Sequence, residues 1–168
     1  MIRKNIEILS VEEIWKLLSE VEDPEIPILN VVEMGIIREV NVENNLVRIV
    51  ITPTYSGCPA MKTIEEDIEE VMKDNFMDHY VIVTKLSPAW TTDWMTNEAR
   101  QKLLSEGIAP PQFGSTDKAL LMGKIRDVQC PRCRSSNTQM ISQFGSTACK
   151  SLYKCSDCLE PFDYFKCI

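Results

Sequence analysis

Cys130-Pro131-Arg132-Cys133 and Cys155-Ser156-Asp157-Cys158, with 21 residues between them, concentrate the chemistry of this 168-residue chain. A Cys-x-x-Cys segment can close into a tight knuckle that aims two thiolates at one point. Two such knuckles complete the tetrahedron that zinc accepts without strain. The spacer slightly exceeds the usual range, which a ribbon's connecting hairpin absorbs. A module this small lacks the core to fold alone, so the metal would contribute folding free energy. Four thiolates leave the ion no open position, which makes the site structural rather than catalytic. An iron–sulfur cluster, or a lone iron, at the same four positions is an open alternative, as are incidental cysteines.

Cys58 is chemically different. It sits between Gly57 and Pro59, where a turn gives way to a helix whose free N–H groups and dipole favour an anionic ligand. His79 is the chain's single histidine, at a helix-to-strand junction, which disfavours a Cys-His hydrolase. A lone accessible sulfur on a rigid loop suits transient soft-metal or cluster ligation, with a second copy of the chain able to supply more sulfur. A buried structural cysteine is the competing reading. Cys149 and Cys167 lie outside the two pairs; either is a functional thiol or an idle one. Asp23 and Glu25 could work as an acid–base pair, but turn and cap duty is favoured. Trp90 and Trp94 could form a recognition patch, with a core role for at least one of them the safer expectation.

These residues need elements to hold them. Ser10-Val11-Glu12-Glu13 reads as a capping box that opens a helix over about 11–21. Asp23-Pro24-Glu25-Ile26-Pro27 cannot continue it and reads as a loop. Residues 36–42 and 46–52, joined by Glu43-Asn44-Asn45, read as a hairpin. Met61, Ile64, Ile68, Val71 and Met72 give residues 59–75 one apolar helical stripe, with the glutamates between 65 and 70 on the outside. A strand over 80–86 and a helix over 94–105, stopped by Gly107, complete a helix–hairpin–helix–strand–helix α+β sandwich, one sheet covered on one face. The expected organisation is an α+β domain over 1–107, a proline-stiffened linker over 108–126 and a zinc ribbon over 127–168.

Charge divides the chain at the same place. Residues 1–107 carry ten basic and twenty acidic side chains, residues 108–168 eight and five, within a formal net charge of -7. That balance argues against a nucleic-acid-coating protein. The first residues lack the apolar core of a signal peptide, and no apolar run approaches the ~20 residues of a membrane span. A cytoplasmic protein is the expectation, with reduced thiols that point to metal or redox chemistry.

Longer motifs then carry a resemblance. Asp23-Pro24-Glu25-Ile26-Pro27 and Thr52-Pro53-Thr54-Tyr55-Ser56-Gly57-Cys58-Pro59-Ala60-Met61 resemble the hallmark of a family of iron–sulfur assembly factors that includes bacterial SufT and the eukaryotic cytosolic iron–sulfur targeting component. With Pro88-Ala89-Trp90-Thr91-Thr92-Asp93-Trp94, Gly107-Ile108-Ala109-Pro110-Pro111, Phe144-Gly145-Ser146-Thr147-Ala148-Cys149-Lys150 and 160–167, the chain is similar throughout to the PaaD-like accessory family of the phenylacetyl-CoA epoxidase system. The resemblance implies a maturation role in aromatic-compound degradation, with epoxidase subunits, above all the iron–sulfur reductase, as partners. It maps the family's reactive cysteine onto Cys58, with Thr54 and Ser56 in the same loop, and its acidic loop onto Asp23 and Glu25. A structural zinc, a transient iron–sulfur cluster and a homodimer sharing it are the cofactor and assembly expectations; an enzyme, a nucleic-acid partner and a membrane are not expected. An adaptor that bridges epoxidase subunits is the alternative, and a thiol oxidoreductase a weaker one.

Overall fold

The computed structural model describes residues 9–75, 77–112 and 128–166. Their contacts divide the chain into two compact units, Met1–Ala89 and Trp90–Ile168.

The first unit begins with α1 (Val11–Leu18), whose capping box forms as the sequence requires. Glu13 N donates to Ser10 Oγ at 3.3 Å, and Ser10 N donates to Glu13 Oε2 at 2.8 Å. α1 ends earlier than its apolar spacing suggests, because the chain turns after Ser19 into a short antiparallel pair, β1 (Glu22–Asp23) and β2 (Ile26–Asn30). The segment expected as a loop is thus a small hairpin. Its turn is closed by Asp23, whose Oδ1 accepts from Glu25 N and Ile26 N, both at 2.8 Å. β3 (Ile37–Glu43) and β4 (Leu46–Ile51) then pair antiparallel, and β5 (Tyr80–Thr84) joins β4 in parallel, in the order β3-β4-β5. Asn44 and Asn45 both take positive φ, 50° and 65°, the conformation a two-residue hairpin turn demands. α2 (Ala60–Asp74) supplies the crossover that a parallel pair needs. Ala60, Ile64, Ile68 and Met72, spaced four apart, form its buried face. They share the core with Ile14 and Leu18 of α1 and with Val47, Ile49 and Ile51 of β4.

The second unit opens with a single 3-10 turn, Thr92–Trp94, followed by α3 (Asn97–Ser105). The helix expected from Trp94 therefore starts three residues later. Thr96 is extended and caps the new helix, its Oγ1 accepting from Ala99 N at 3.1 Å. Gly107 ends it at φ 76°. The sheet runs β6-β9-β8-β7, with β6 (Ile108–Ala109) parallel to β9 (Pro161–Phe165) and with β7 (Thr138–Ser142) and β8 (Lys150–Cys155) antiparallel. Charge and proline content place a boundary at 107 and a linker from 108; by contacts the division lies at 89/90. Ile108–Ala109 forms a strand, because Ala109 is 2% exposed in the core of the second sheet. Tyr153 stacks on Phe162 at 5.8 Å between centroids and meets Tyr164 edge-on at 5.7 Å. Trp90 is buried and meets Phe165 edge-on at 6.3 Å, so the core expectation holds for Trp90, while Trp94 is half-buried. Arg100 is a buried cation that no sequence pattern singles out; it donates to Thr92 O at 2.5 Å and to Pro111 O, fastening the 3-10 turn and the chain just beyond β6 to α3.

Candidate functional site

Each knuckle is built by backbone geometry before any metal is considered. Arg134 N donates to Cys130 O at 2.9 Å and Cys130 N to Ser135 O at 2.9 Å, closing the first. Cys155 N donates to Glu160 O at 3.0 Å, closing the second. The residue after each second cysteine takes the left-handed conformation, Arg134 at φ 62° and Leu159 at φ 65°. Neither is glycine, so each turn carries a strain on the order of 1 kcal/mol that the rest of the knuckle must hold. The four sulfurs all lie within 4.8 Å of one another. Cys130 Sγ is 3.7 Å from Cys158 Sγ, and Cys133 Sγ is 3.5 Å from Cys155 Sγ. A tetrahedron with metal–sulfur bonds of about 2.3 Å places its sulfurs about 3.8 Å apart. The arrangement therefore fits a single ion; a cluster, with its own atoms between the cysteines, would spread them farther.

The electrostatics agree with that fit. Backbone N–H groups of Cys158 and Asp157 point at the Cys155 sulfur and lower its pKa from 9.0 to about 7. The Glu160 N–H favours the Cys158 thiolate, but burial and the neighbouring sulfurs of Cys155, Cys133 and Cys130 outweigh it and push that thiol up to about 12. Four sulfurs this close cannot all be anionic without a cation among them. A dication removes that repulsion and displaces the remaining protons. Asp157 accepts from Ser135 Oγ and, at 2.8 Å, from Asn137 Nδ2, and these bonds hold its carboxyl below the usual range.

Cys58 occupies a separate loop between β4 and α2. Its N–H donates to Tyr55 O at 3.1 Å, and its carbonyl accepts from Met61 N at 3.3 Å, so the loop backbone is fixed. The sulfur-bearing residue is half-buried, and Ser56, Gly57 and Pro59 around it are exposed. A Cβ built on Gly57 meets nothing within 4 Å, so the space beside Cys58 is open to an approaching group. α2 starts at Pro59 with no side-chain cap and no acidic residue in its first turn. That leaves its N–H groups and dipole directed at the Cys58 loop. Thr54 is half-buried on the same loop. Asp23 is 5% exposed and borders a cavity of about 430 Å³ along α2, lined also by Glu20, Glu22, Asp67, Glu70 and Asp74. Thr54, Ser56 and Cys58 are not among the described residues lining it. Cys149 is buried with its sulfur 3.0 Å from Thr147 Oγ1, apart from the four-sulfur group. Cys167 lies outside the described residues.

Two domain families account for these features in turn. Residues 11–76 match the iron–sulfur cluster assembly protein family, and residues 112–166 match the PaaD zinc beta ribbon domain. The class is therefore an iron–sulfur assembly domain carrying a tetracysteine ribbon. The chain is 51% identical, over 94% of its length and 93% of the relative's, to an Escherichia coli (strain K12) protein named as a putative 1,2-phenylacetyl-CoA epoxidase subunit. It belongs to the PaaD family. It is also 36% identical, over 59% of its length and 96% of the relative's, to an Fe-S protein maturation auxiliary factor of Porphyromonas gingivalis (strain ATCC BAA-308 / W83). A crystal structure of a DUF59 domain from Bacillus anthracis superimposes with a TM-score of 0.52 at 26% identity, covering 55% of this chain and 90% of that one.

Proposed function

We propose that this protein is a non-catalytic accessory factor of phenylacetate degradation that assists iron–sulfur or metal-centre assembly in the phenylacetyl-CoA epoxidase, with the iron–sulfur reductase subunit as client. The observation that carries the reading is Cys58: a sulfur on a fixed loop with open space beside Gly57, at a helix N-terminus that no acidic side chain neutralises. Such a sulfur can ligate a soft metal or cluster and release it again. Asp23 and Glu25, on the β1–β2 turn, are assigned to the same function as the family's acidic loop, and Thr54 and Ser56 share the Cys58 loop. The names borne by relatives of both domains support the same direction.

In this reading the four-sulfur centre holds zinc and is structural, and the ribbon docks the client. Met140, Ile141, Phe144 and Leu159 are exposed apolar side chains on it, between 43% and 66% accessible, as a contact surface would require. The protein acts in the cytoplasm, and two copies can share a transient cluster across their Cys58 residues. Among the described residues, no helix is long and apolar enough to cross a membrane.

The test is anaerobic maturation of apo reductase with the wild-type chain or with Cys58→Ala, read as cluster absorbance and electron transfer. The expected result is loss of the stimulation with Cys58→Ala. Undiminished stimulation would remove Cys58 from the mechanism. The same exposed ribbon residues favour a second reading, an adaptor that bridges epoxidase subunits; a stoichiometric complex insensitive to Cys58→Ala would select it.

A further inference from the structure

The two knuckles that supply the four sulfurs are far apart in sequence, and one small polar network joins them directly. Asp157 lies inside the second knuckle, between Cys155 and Cys158. Its Oδ2 accepts from Ser135 Oγ, two residues beyond Cys133, and its Oδ1 accepts from Asn137 Nδ2 at 2.8 Å. Ser135 Oγ in turn accepts from Asn137 N at 2.9 Å, and Asn137 O accepts from Ser156 N at 2.8 Å. The carboxylate thus receives two donors from the first knuckle while its own N–H points at the Cys155 sulfur. Both its oxygens accept from Ser135 and Asn137, and it is not part of the four-sulfur group.

We propose that Asp157 is the positioning residue of the metal centre: with Ser135 and Asn137 it clasps the two knuckles together, so that loss of the metal requires breaking the clasp as well as the metal–sulfur bonds. Hydrogen-bonding partners behind metal ligands are typically worth about 10–100-fold in metal affinity. The clasp spans two ligand pairs rather than orienting a single ligand, so it acts on the opening of one knuckle from the other, the step by which a chelator gains entry. The inference rests on the four-sulfur site and not on the role of Cys58, so failure of either leaves the other standing.

The experiment uses the full-length zinc-loaded chain and follows zinc release to a colorimetric chelator, with client maturation left out. Asp157→Ala and Ser135→Ala are each expected to release zinc at least about tenfold faster than wild type. The double variant should release little faster than either single one, because both break the same contact. Asp157→Asn, which keeps an acceptor oxygen for one of the two donors, should fall between. Release at the wild-type rate from Asp157→Ala would overturn the proposal. So would a pattern in which Asp157→Asn equals Asp157→Ala while Ser135→Ala has no effect, since the carboxylate would then act through its charge alone. Should Asp157→Ala retain no metal on purification, Ser135→Ala and Asn137→Ala decide: wild-type release from both would equally overturn it.

Discussion

Replacing Cys133 by serine separates the ligand's contribution from its packing. Cys130 and Cys155 are 1% and 0% exposed and belong to the ribbon's apolar core, so changing either removes a ligand and a core side chain together. Cys133 is exposed, and its loss leaves no cavity. All four sulfurs belong to one group, with separations of 3.7 Å and 3.5 Å in two of its pairs, and an equal division of the binding free energy among the four is the simplest working figure. Structural zinc in small domains binds with roughly 10–16 kcal/mol, so one of four ligands accounts for about 2.5–4 kcal/mol. At 1.4 kcal/mol per decade, Cys133→Ser should weaken zinc binding by about 10²–10³-fold in a chelator competition at neutral pH. Thermal stability should then separate by condition: wild type and variant alike without metal, and a lower Tm for the variant at limiting zinc. Cys149→Ser is the matched control, a buried thiol outside the group, and should leave zinc affinity unchanged. Wild-type affinity in Cys133→Ser, or a loss with Cys149→Ser as large, would refute the assignment of the four ligands.

Ser10→Ala removes the cap of α1 and should cost about 1 kcal/mol in urea unfolding of the intact chain. The Ser10 N–H and, second, its hydroxyl hold the Glu13 pKa below its ordinary value, so that contribution is present above the usual carboxylate range and is lost as pH falls through the lowered value; unfolding series at falling pH should show it reduced but not abolished in Ser10→Ala, which keeps the backbone N–H donor. Ile68→Ala, at a site 0% exposed between α2 and the first sheet, should cost about 2–5 kcal/mol by the same measurement. In metal-free protein, Cys155, with its pKa lowered to about 7, should become a thiolate at lower pH than Cys158, pushed up to about 12, as thiolate ultraviolet absorbance followed against pH in Cys155→Ser and Cys158→Ser would show. The signs are opposite: the Cys155 contribution to apo stability is lost as pH falls through about 7, whereas that of Cys158 is lost as pH rises from 9.0 toward 12.

Much of the fold is legible in the sequence wherever the information is local. The capping box of α1, the Asn44-Asn45 turn and the Gly107 stop each follow from backbone preferences of neighbouring residues and appear where expected, while the α2 stripe holds at Ile64, Ile68 and Met72 but takes in Ala60 and leaves Met61 and Val71 half-buried. The two knuckles are legible for the same reason, since a Cys-x-x-Cys turn is specified by its own residues and implies a second pair to complete the ion's shell. Local patterns fail where an element owes its existence to a distant partner. Asp23–Pro27 looks like a loop because two prolines forbid a helix, yet the segment pairs as a hairpin around the Asp23 carboxylate. Ile108–Ala109 looks like linker beside Pro110-Pro111, and is a strand only because β9, more than fifty residues later, lies alongside it.

What the sequence by itself determined is therefore which residues could hold a metal and how many. It could not determine that the four sulfurs stand close enough for one ion rather than a cluster, because that distance is set by how two remote turns meet across a sheet. Nor could it show that the meeting is fastened by Asp157, a residue whose type and spacing resemble any solvent-exposed aspartate. Only the tertiary structure places Ser135 and Asn137 against its oxygens, since hydrogen bonds between side chains twenty residues apart leave no periodic trace in the chain.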